Sequence, residues 1–370
     1  MNIEFIDLTE VQKDVVHCYA HRTGNEKKSM EQRQKETLIE HTELCQQYYE
    51  KIVEHKQIQV VFEQFETLYF SEMSREGIHF FETMRDNVIT FHDIGKINPR
   101  FQEKNMGNYE LKGKARPDNS VGSKHSILSS VLYLDYFLDR VSQIENLEER
   151  KSLRDLAYIH SFLIAKHHGA LTDFQTYLDS FASLNDTEGT VLGWQKKWKE
   201  ENENQKVRKK VYLKKDKKED MFERISGDDA SRQVYLFGYT RLLFSLLVAV
   251  DYYATSDYMN GIKLKAFGQL DDISNIIQAY EKTGTQQSIR EYEKTKYPQR
   301  RERLVKKKKA DVINDLRTEM FLDAENTLKE HINDHIFYLE EPTGAGKSNT
   351  ALNLSFQIIK KVKNINKIFY

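Results

Sequence analysis

Residues 91–101 read FHDIGKINPRF, and the His92-Asp93 pair closing an apolar stretch decides how the rest of the chain is read. The stretch 77–97 has few breakers and a helical spacing of apolar residues, so the pair is expected at or just beyond a helix end. Working outward, other histidines recur at comparable places. His41 lies in a breaker-poor stretch over 37–70, whose Leu38, Leu44, Tyr48 and Ile52 predict a helix. His125 opens the apolar stretch 126–141, and His167-His168-Gly169 closes the stretch 153–168. Asp251 interrupts the most apolar segment of all, residues 233–253, expected as the central buried helix.

The composition agrees with a helical protein. The chain has 370 residues, of which 39% are hydrophobic and 31% charged, with four prolines and sixteen glycines. That argues against an all-β sandwich and against low-complexity disorder. Two cysteines, Cys18 and Cys45, supply neither a disulfide framework nor a four-cysteine zinc site, and fit a reducing, cytoplasmic setting. The N-terminus lacks the charge and hydropathy pattern of a secretory signal. The apolar run 242–250 is broken by Ser245 and is short for a bilayer, so no membrane partner is expected.

Lys+Arg of 56 against Asp+Glu of 57 leaves a net charge of −1, which by itself names no polyanionic partner. Two local stretches are basic: residues 206–220, with eight basic and three acidic side chains, and residues 294–309, with nine and one. Each is a candidate phosphate-facing track and equally a solvated helix face or linker.

Taken singly, the candidate ligands divide. His41 alone reads first as a hydrogen-bonded core histidine. His167 and His168 read equally as cations at a helix C-terminus. Asp251 favours a ligand role, because a carboxylate in an apolar helix is costly unless paired or metal-bound. Imidazoles and carboxylates converging from separate helices are how helical proteins build dinuclear sites.

Together, the segments AHRTGNEKKS, ETLIEHT, FHDIGKINPRFQ, KHSILSS, AKHHG and VDYYATSD, spanning about residues 17–257, resemble the HD phosphohydrolase superfamily. Within it they are most similar to the HD nuclease domain of the CRISPR-associated helicase–nuclease of type I systems. The resemblance implies two divalent metals sharing Asp93, with His41, His92 and Asp251 at one and His125, His167 and His168 at the other. His17 and His21 precede the first matching histidine; His41 is preferred because it lies in ETLIEHT, with His21 the alternative to it and Asp257 to Asp251. Histidine-rich ligation suits Mn, Fe, Co or Ni better than Mg. Lys96, one turn beyond His92, is placed to meet a substrate phosphate.

A different unit opens near the end. EPTGAGKS (341–348) resembles the phosphate-binding loop of superfamily 2 helicases, with Glu341 where the strict motif has glycine. IFYL before it is expected as a strand, residues 349–362 as a helix, and NKIFY as the start of a second strand. Gly344 and Gly346 would let backbone amides approach phosphates, Lys347 would reach them, and Ser348 would hold Mg²⁺. No Walker B pair follows before Tyr370, so ATP hydrolysis and unwinding are not expected of this chain; ATP and Mg²⁺ belong to an intact helicase.

The expected architecture is therefore mainly α. An HD helical bundle spans 1–265, a charged helical connector 266–330, and the first β–P-loop–α–β piece of a RecA-like helicase domain 331–370. The expected function is metal-dependent cleavage of single-stranded DNA in CRISPR interference, with an RNA-guided surveillance complex as partner. Two other readings remain: an HD phosphohydrolase acting on nucleotides, and a non-catalytic docking module.

Overall fold

The computed structural model describes residues 3–23, 34–70, 72–116, 122–183, 215–227, 229–261, 263–264, 267, 273–299, 309–362 and 365. The chain divides into two compact units, Met1–Leu264 and Lys265–Tyr370. Both are mainly helical among the described residues. Residues 206–214 and 300–308 of the two basic stretches, and the expected strand at 366–370, lie outside the described residues.

The first unit begins with a short helix α1 (Leu8–Val11) and a two-stranded antiparallel sheet of β1 (Tyr19–Arg22) and β2 (Lys35–Thr37). Helix α2 (Leu38–His55) follows directly. Its start is set by a capping box: the Thr37 hydroxyl accepts from the Glu40 N–H, and the Glu40 carboxylate accepts from the Thr37 N–H. This boundary places His41 in the first turns, on the buried side.

The single helix expected over 37–70 is in fact two. Helix α2 ends at Lys56, Gln57 takes a left-handed conformation (φ 52°), and α3 (Ile58–Tyr69) runs in a new direction. Neither Lys56 nor Gln57 is a breaker, so propensity did not mark the bend. The packing of Phe62 and Phe65 into the core requires it. Phe65 stacks on Tyr239 at 4.2 Å between ring centres and contacts Phe81 at 5.9 Å, an arrangement an uninterrupted helix would forgo.

Helix α4 (Arg75–Phe91) ends at His92. A 3₁₀ turn (Ile94–Ile97) follows, then the one-turn helix α5 (Pro99–Phe101) and a π-turn (Gln102–Met106). Pro99 at the first position of α5 cannot continue a preceding helix, and the Asn98 side chain caps the new one at Arg100 N–H. Helices α6 (Ser126–Val141) and α7 (Leu147–Lys166) pack extensively on each other. Helix α7 starts earlier than the apolar periodicity suggests, because Asn146 caps it and Glu148 and Glu149 complement its N-terminus.

Helices α8 (Phe174–Ser183) and α9 (Lys215–Ser226) precede the 31-residue α10 (Ala230–Asn260). Helix α10 is the one helix among the described residues long and apolar enough to cross a membrane by length and composition, a property the short run 242–250 conceals. It packs against α2, α3 and α7 and buries Leu243, Leu246, Leu247, Val250 and Ala254.

The second unit holds α11 (Ser274–Glu281), α12 (Gly284–Thr295), α13 (Lys309–Glu330) and α14 (Lys347–Lys361). Ile289, Tyr292, Phe321 and Leu322 form its core cluster. The expected strand at 336–339 is not formed: these residues carry no ladder, and Ile336 and Tyr338 are 74% and 90% exposed. A strand needs a neighbour to satisfy its backbone, and none pairs with this segment among the described residues. In the loop that follows, Gly344 and Gly346 take left-handed conformations, with φ of 81° and 105°. Gly346 is the N-cap of α14 with no side-chain cap, and Lys347 and Ser348 are exposed there.

Candidate metal centre

Five elements deliver the side chains. His41 comes from within α2, His92 and Asp93 from the end of α4, and His125 from the N-cap of α6. His167 and His168 come from the end of α7, and Asp251 from the middle of α10. All seven converge, with His41, His92 and Asp93 fully buried, His167 nearly so, and His168 exposed.

They fall into two groups joined by Asp93. Asp93 Oδ2 lies 3.4 Å from His41 Nε2 and 3.5 Å from His92 Nε2. Asp93 Oδ1 lies 3.1 Å from His125 Nε2 and 3.5 Å from His167 Nε2. Asp251 Oδ1 completes the first group at 3.4 Å from His41 Nε2 and 3.8 Å from His92 Nε2. His168 Nε2 completes the second, 2.8 Å from His125 Nε2.

Local backbone fixes the imidazoles. The Nδ1–H of His92 donates to the Ile89 carbonyl at 2.7 Å, and that of His167 to the Ile164 carbonyl at 2.6 Å. Both are three-residue reaches across the last turn of a helix, and both turn Nε2 towards the cluster. Neither Nε2 has a hydrogen-bond partner among the described residues, although both are buried. A buried polar atom left unpaired costs about 1–3 kcal/mol. Apart from Asp93 Oδ1 to His125 Nε2 at 3.1 Å and His125 Nε2 to His168 Nε2 at 2.8 Å, the separations are too long for good hydrogen bonds, which for N–H···O lie at about 2.7–3.2 Å. Donors around one tetrahedral ion at 2.0–2.2 Å stand about 3.3–3.6 Å apart; His41–Asp93, His41–Asp251 and His92–Asp93, at 3.4, 3.4 and 3.5 Å, match that spacing, and His92–Asp251 is wider at 3.8 Å. The donor set fits divalent metal.

The charges of the cluster depend on one another. Burial opposes the charge on His92 and His41, yet Asp93 and Asp251 push His92 up to about 10, and Cys45 with the same carboxylates pushes His41 well above its ordinary value. Each must therefore release a proton to take a metal. Burial opposes the charge on Asp93, but the Lys96 ammonium and the His92 imidazole hold its carboxyl well below the usual range. Burial likewise opposes the charge on Asp251, and His41 and His92 hold its carboxyl far down. Burial pushes His125 below its ordinary value, keeping its lone pair free. Lys96 reaches the cluster, but its Nζ is 2.6 Å from Asp93 Oδ2 and buried. In this conformation it faces the shared carboxylate rather than a substrate phosphate.

His21 stands beside the cluster. Lys96 Nζ donates to its Nε2 at 3.2 Å, and its Nδ1–H donates to Glu36 at 2.8 Å. His17 is exposed and paired with Glu110, and Asp257 accepts from the Tyr48 hydroxyl, so neither belongs to the centre. The phosphate-loop residues Gly344, Gly346, Lys347 and Ser348 lie in the second unit.

Two buried neighbours lie outside the residues the sequence singled out as ligands. Glu36, on β2, stands 3.4 Å from His41 Nδ1 as well as bonding His21. Nothing in its local sequence signals this. Cys45 Sγ lies 3.5 Å from His41 Nε2, and its i+4 spacing from His41 is a usable signal, since both then share one helix face.

A family model described as "Cas3, HD domain" matches residues 24–242, more than half of the chain. The chain therefore belongs to the Cas3 HD-domain family, the CRISPR-associated HD nucleases. The matched range contains His41, His92, Asp93, His125, His167 and His168; Asp251 lies just beyond it. No curated protein and no solved structure gives a significant match.

Proposed function

We propose that the Met1–Leu264 unit is a metal-dependent nuclease that cuts single-stranded DNA during CRISPR interference. The observation that supports it most is the division of Asp93, one oxygen facing His41 and His92, the other facing His125 and His167. His41, His92, Asp93 and Asp251 would hold one divalent transition ion, and Asp93, His125, His167 and His168 a second. Two such ions, when bound, activate a water and stabilise both the attacking and leaving oxygens of an in-line phosphoryl displacement.

The chain's own residues supply the rest. Asp93 sets the separation of the two positions. The Ile89 and Ile164 carbonyls lock two imidazoles in the tautomer that presents Nε2. Lys96 keeps the shared carboxylate ionised. The exposed side is that of His168, so a phosphodiester would enter there. Single strands fit such a recessed centre better than a stiff duplex, and basic side chains would track the backbone. An RNA-guided surveillance complex would deliver the DNA, and the Gly344–Ser348 loop, working with a helicase, would bind ATP and Mg²⁺.

The test is cleavage of circular single-stranded DNA by purified protein with EDTA, Mg²⁺, Mn²⁺, Co²⁺ or Ni²⁺, beside Asp93→Ala. Cutting that requires a transition metal and vanishes in Asp93→Ala is expected. Hydrolysis of small nucleotides without DNA cutting would move the reading to a nucleotide phosphohydrolase. Folded protein that neither binds metal nor cuts would leave a docking module.

A further inference from the structure

Cys45 occupies a place that neither a core cysteine nor a surface thiol requires. It follows His41 by one helical turn on α2, is fully buried, and its Sγ lies 3.5 Å from His41 Nε2. Donor atoms of His41, Cys45, His92 and Asp251 all lie within 4.8 Å of one another. The other use of the thiol, a weak contact to the Val250 carbonyl, is long at 3.9 Å.

The surroundings of His41 Nε2 are the telling feature. It stands 3.4 Å from Asp93 Oδ2, 3.4 Å from Asp251 Oδ1 and 3.5 Å from Cys45 Sγ. One imidazole nitrogen makes a single hydrogen bond, so of three such neighbours at near-equal distance it serves at most one, whether the Cys45 thiol or a carboxylate. A sulfur at about 2.3 Å and a nitrogen at about 2.0–2.1 Å from one tetrahedral ion stand about 3.5 Å apart. The independent sign of a ligand here is His92 Nε2, fully buried, aimed into the same space and without a hydrogen-bond partner among the described residues.

We propose that Cys45 is a thiolate ligand of the His41–His92–Asp251 position, which makes the two metal positions chemically unequal. The first, with His41, Cys45, His92, Asp251 and the shared Asp93, is a five-donor nitrogen, oxygen and sulfur site; the second, with Asp93, His125, His167 and His168, has nitrogen and oxygen alone. On binding, the Sγ–H proton leaves to solvent and a sulfur–metal bond takes its place. Thiolate is a soft ligand, so the first position takes Fe²⁺, Co²⁺, Ni²⁺ or Zn²⁺ in preference to Mn²⁺ or Mg²⁺. The inference rests on the metal reading above, and its test separates the two.

The full chain is loaded with Co²⁺, and its near-ultraviolet spectrum and X-ray absorption are recorded beside Cys45→Ser, Cys45→Ala and Cys18→Ser. Cys18 is the control, buried with its thiol donating to the Asp14 carbonyl. A thiolate-to-cobalt charge-transfer band and a sulfur scatterer are expected in the parent and Cys18→Ser, and their loss in both Cys45 variants. X-ray absorption of the parent needs no variant to fold. Cobalt bound through nitrogen and oxygen alone overturns the thiolate while leaving the metal centre standing. Protein that binds no cobalt overturns both.

Discussion

Gly95 packs directly onto the backbone of His125: a β-carbon added at Gly95 would stand 2.1 Å from the His125 carbonyl oxygen and 2.6 Å from the Ser129 nitrogen. The Gly95 N–H also donates to the Ser129 hydroxyl at 2.8 Å. This approach seats the 3₁₀ turn carrying Asp93 and Lys96 against the N-terminus of α6, which carries His125. The spacing between Asp93 Oδ1 and His125 Nε2 therefore depends on a missing side chain.

Gly95→Ala is expected to separate those elements, because the clashing atoms are backbone and cannot swing away. Overpacking of this kind costs about 1–3 kcal/mol, and metal binding should fall with it. Ser129→Ala removes only the hydrogen bond, costing about 1 kcal/mol, and should keep metal binding. Urea unfolding with metal titration of both variants checks this; equal metal affinity in Gly95→Ala and the parent would refute it.

Metal itself should stabilise the first unit. A ligand held only by the folded state adds about 2.7 kcal/mol at a hundredfold excess over its dissociation constant. Thermal unfolding with Co²⁺ should shift upward and return with EDTA. Asp93→Ala, which removes the oxygen facing each group, should show no shift; a full shift there would mean the ions bind elsewhere.

Arg85 is fully buried beneath Phe62, donating to Glu66 at 2.7 Å and to Asp86 at 2.8 and 3.1 Å. Asp86 also accepts from the Tyr49 hydroxyl at 2.7 Å. Arg85→Met leaves two carboxylates without their cation in the core, and breaking such a set costs about 3–5 kcal/mol. Arg85→Met/Glu66→Gln/Asp86→Asn should recover much of the loss. Denaturant melts decide it, and a single-variant cost under about 1 kcal/mol would contradict this role.

His160 should make stability depend on pH. The Tyr239 hydroxyl donates to His160 Nε2 at 2.6 Å, His160 Nδ1–H donates to the Tyr133 oxygen at 2.8 Å, and Tyr133 donates onward to the Met84 carbonyl. This chain needs a neutral imidazole, and burial, with Arg85 nearby, pushes His160 down to about 3. The unfolded chain, titrating near 6.5, thus binds the extra proton first as pH falls. The stabilisation is complete above about 6.5 and drains away by about 1.4 kcal/mol per unit below it. The stability gap between the parent and His160→Gln should narrow by about 2 kcal/mol from pH 7.5 to 5. A constant gap would show that His160 titrates normally.

Much of the candidate site could be read from the chain because its members sit at places with local signals. His92-Asp93 and His167-His168 end apolar helices, His125 begins one, and Asp251 is a charge in an apolar run. Those positions follow from periodicity and from glycine and proline punctuation, which act over a few residues. Cys45 was within reach of the same logic through its helical spacing from His41. Glu36 was not, because a carboxylate on a short strand carries no local mark of what it will face.

The chain alone determined the helical class and the residues able to ligate, since these depend on side-chain chemistry and hydrophobic period. The tertiary structure decided the rest. It bent α2 from α3 at Gln57, left residues 336–339 without a strand partner among the described residues, turned Lys96 onto Asp93, and allotted one Asp93 oxygen to each histidine group. Each outcome depends on which distant surfaces meet in the packed core. Local propensity carries no term for that; close packing around Gly95, Phe65 and Tyr239 does.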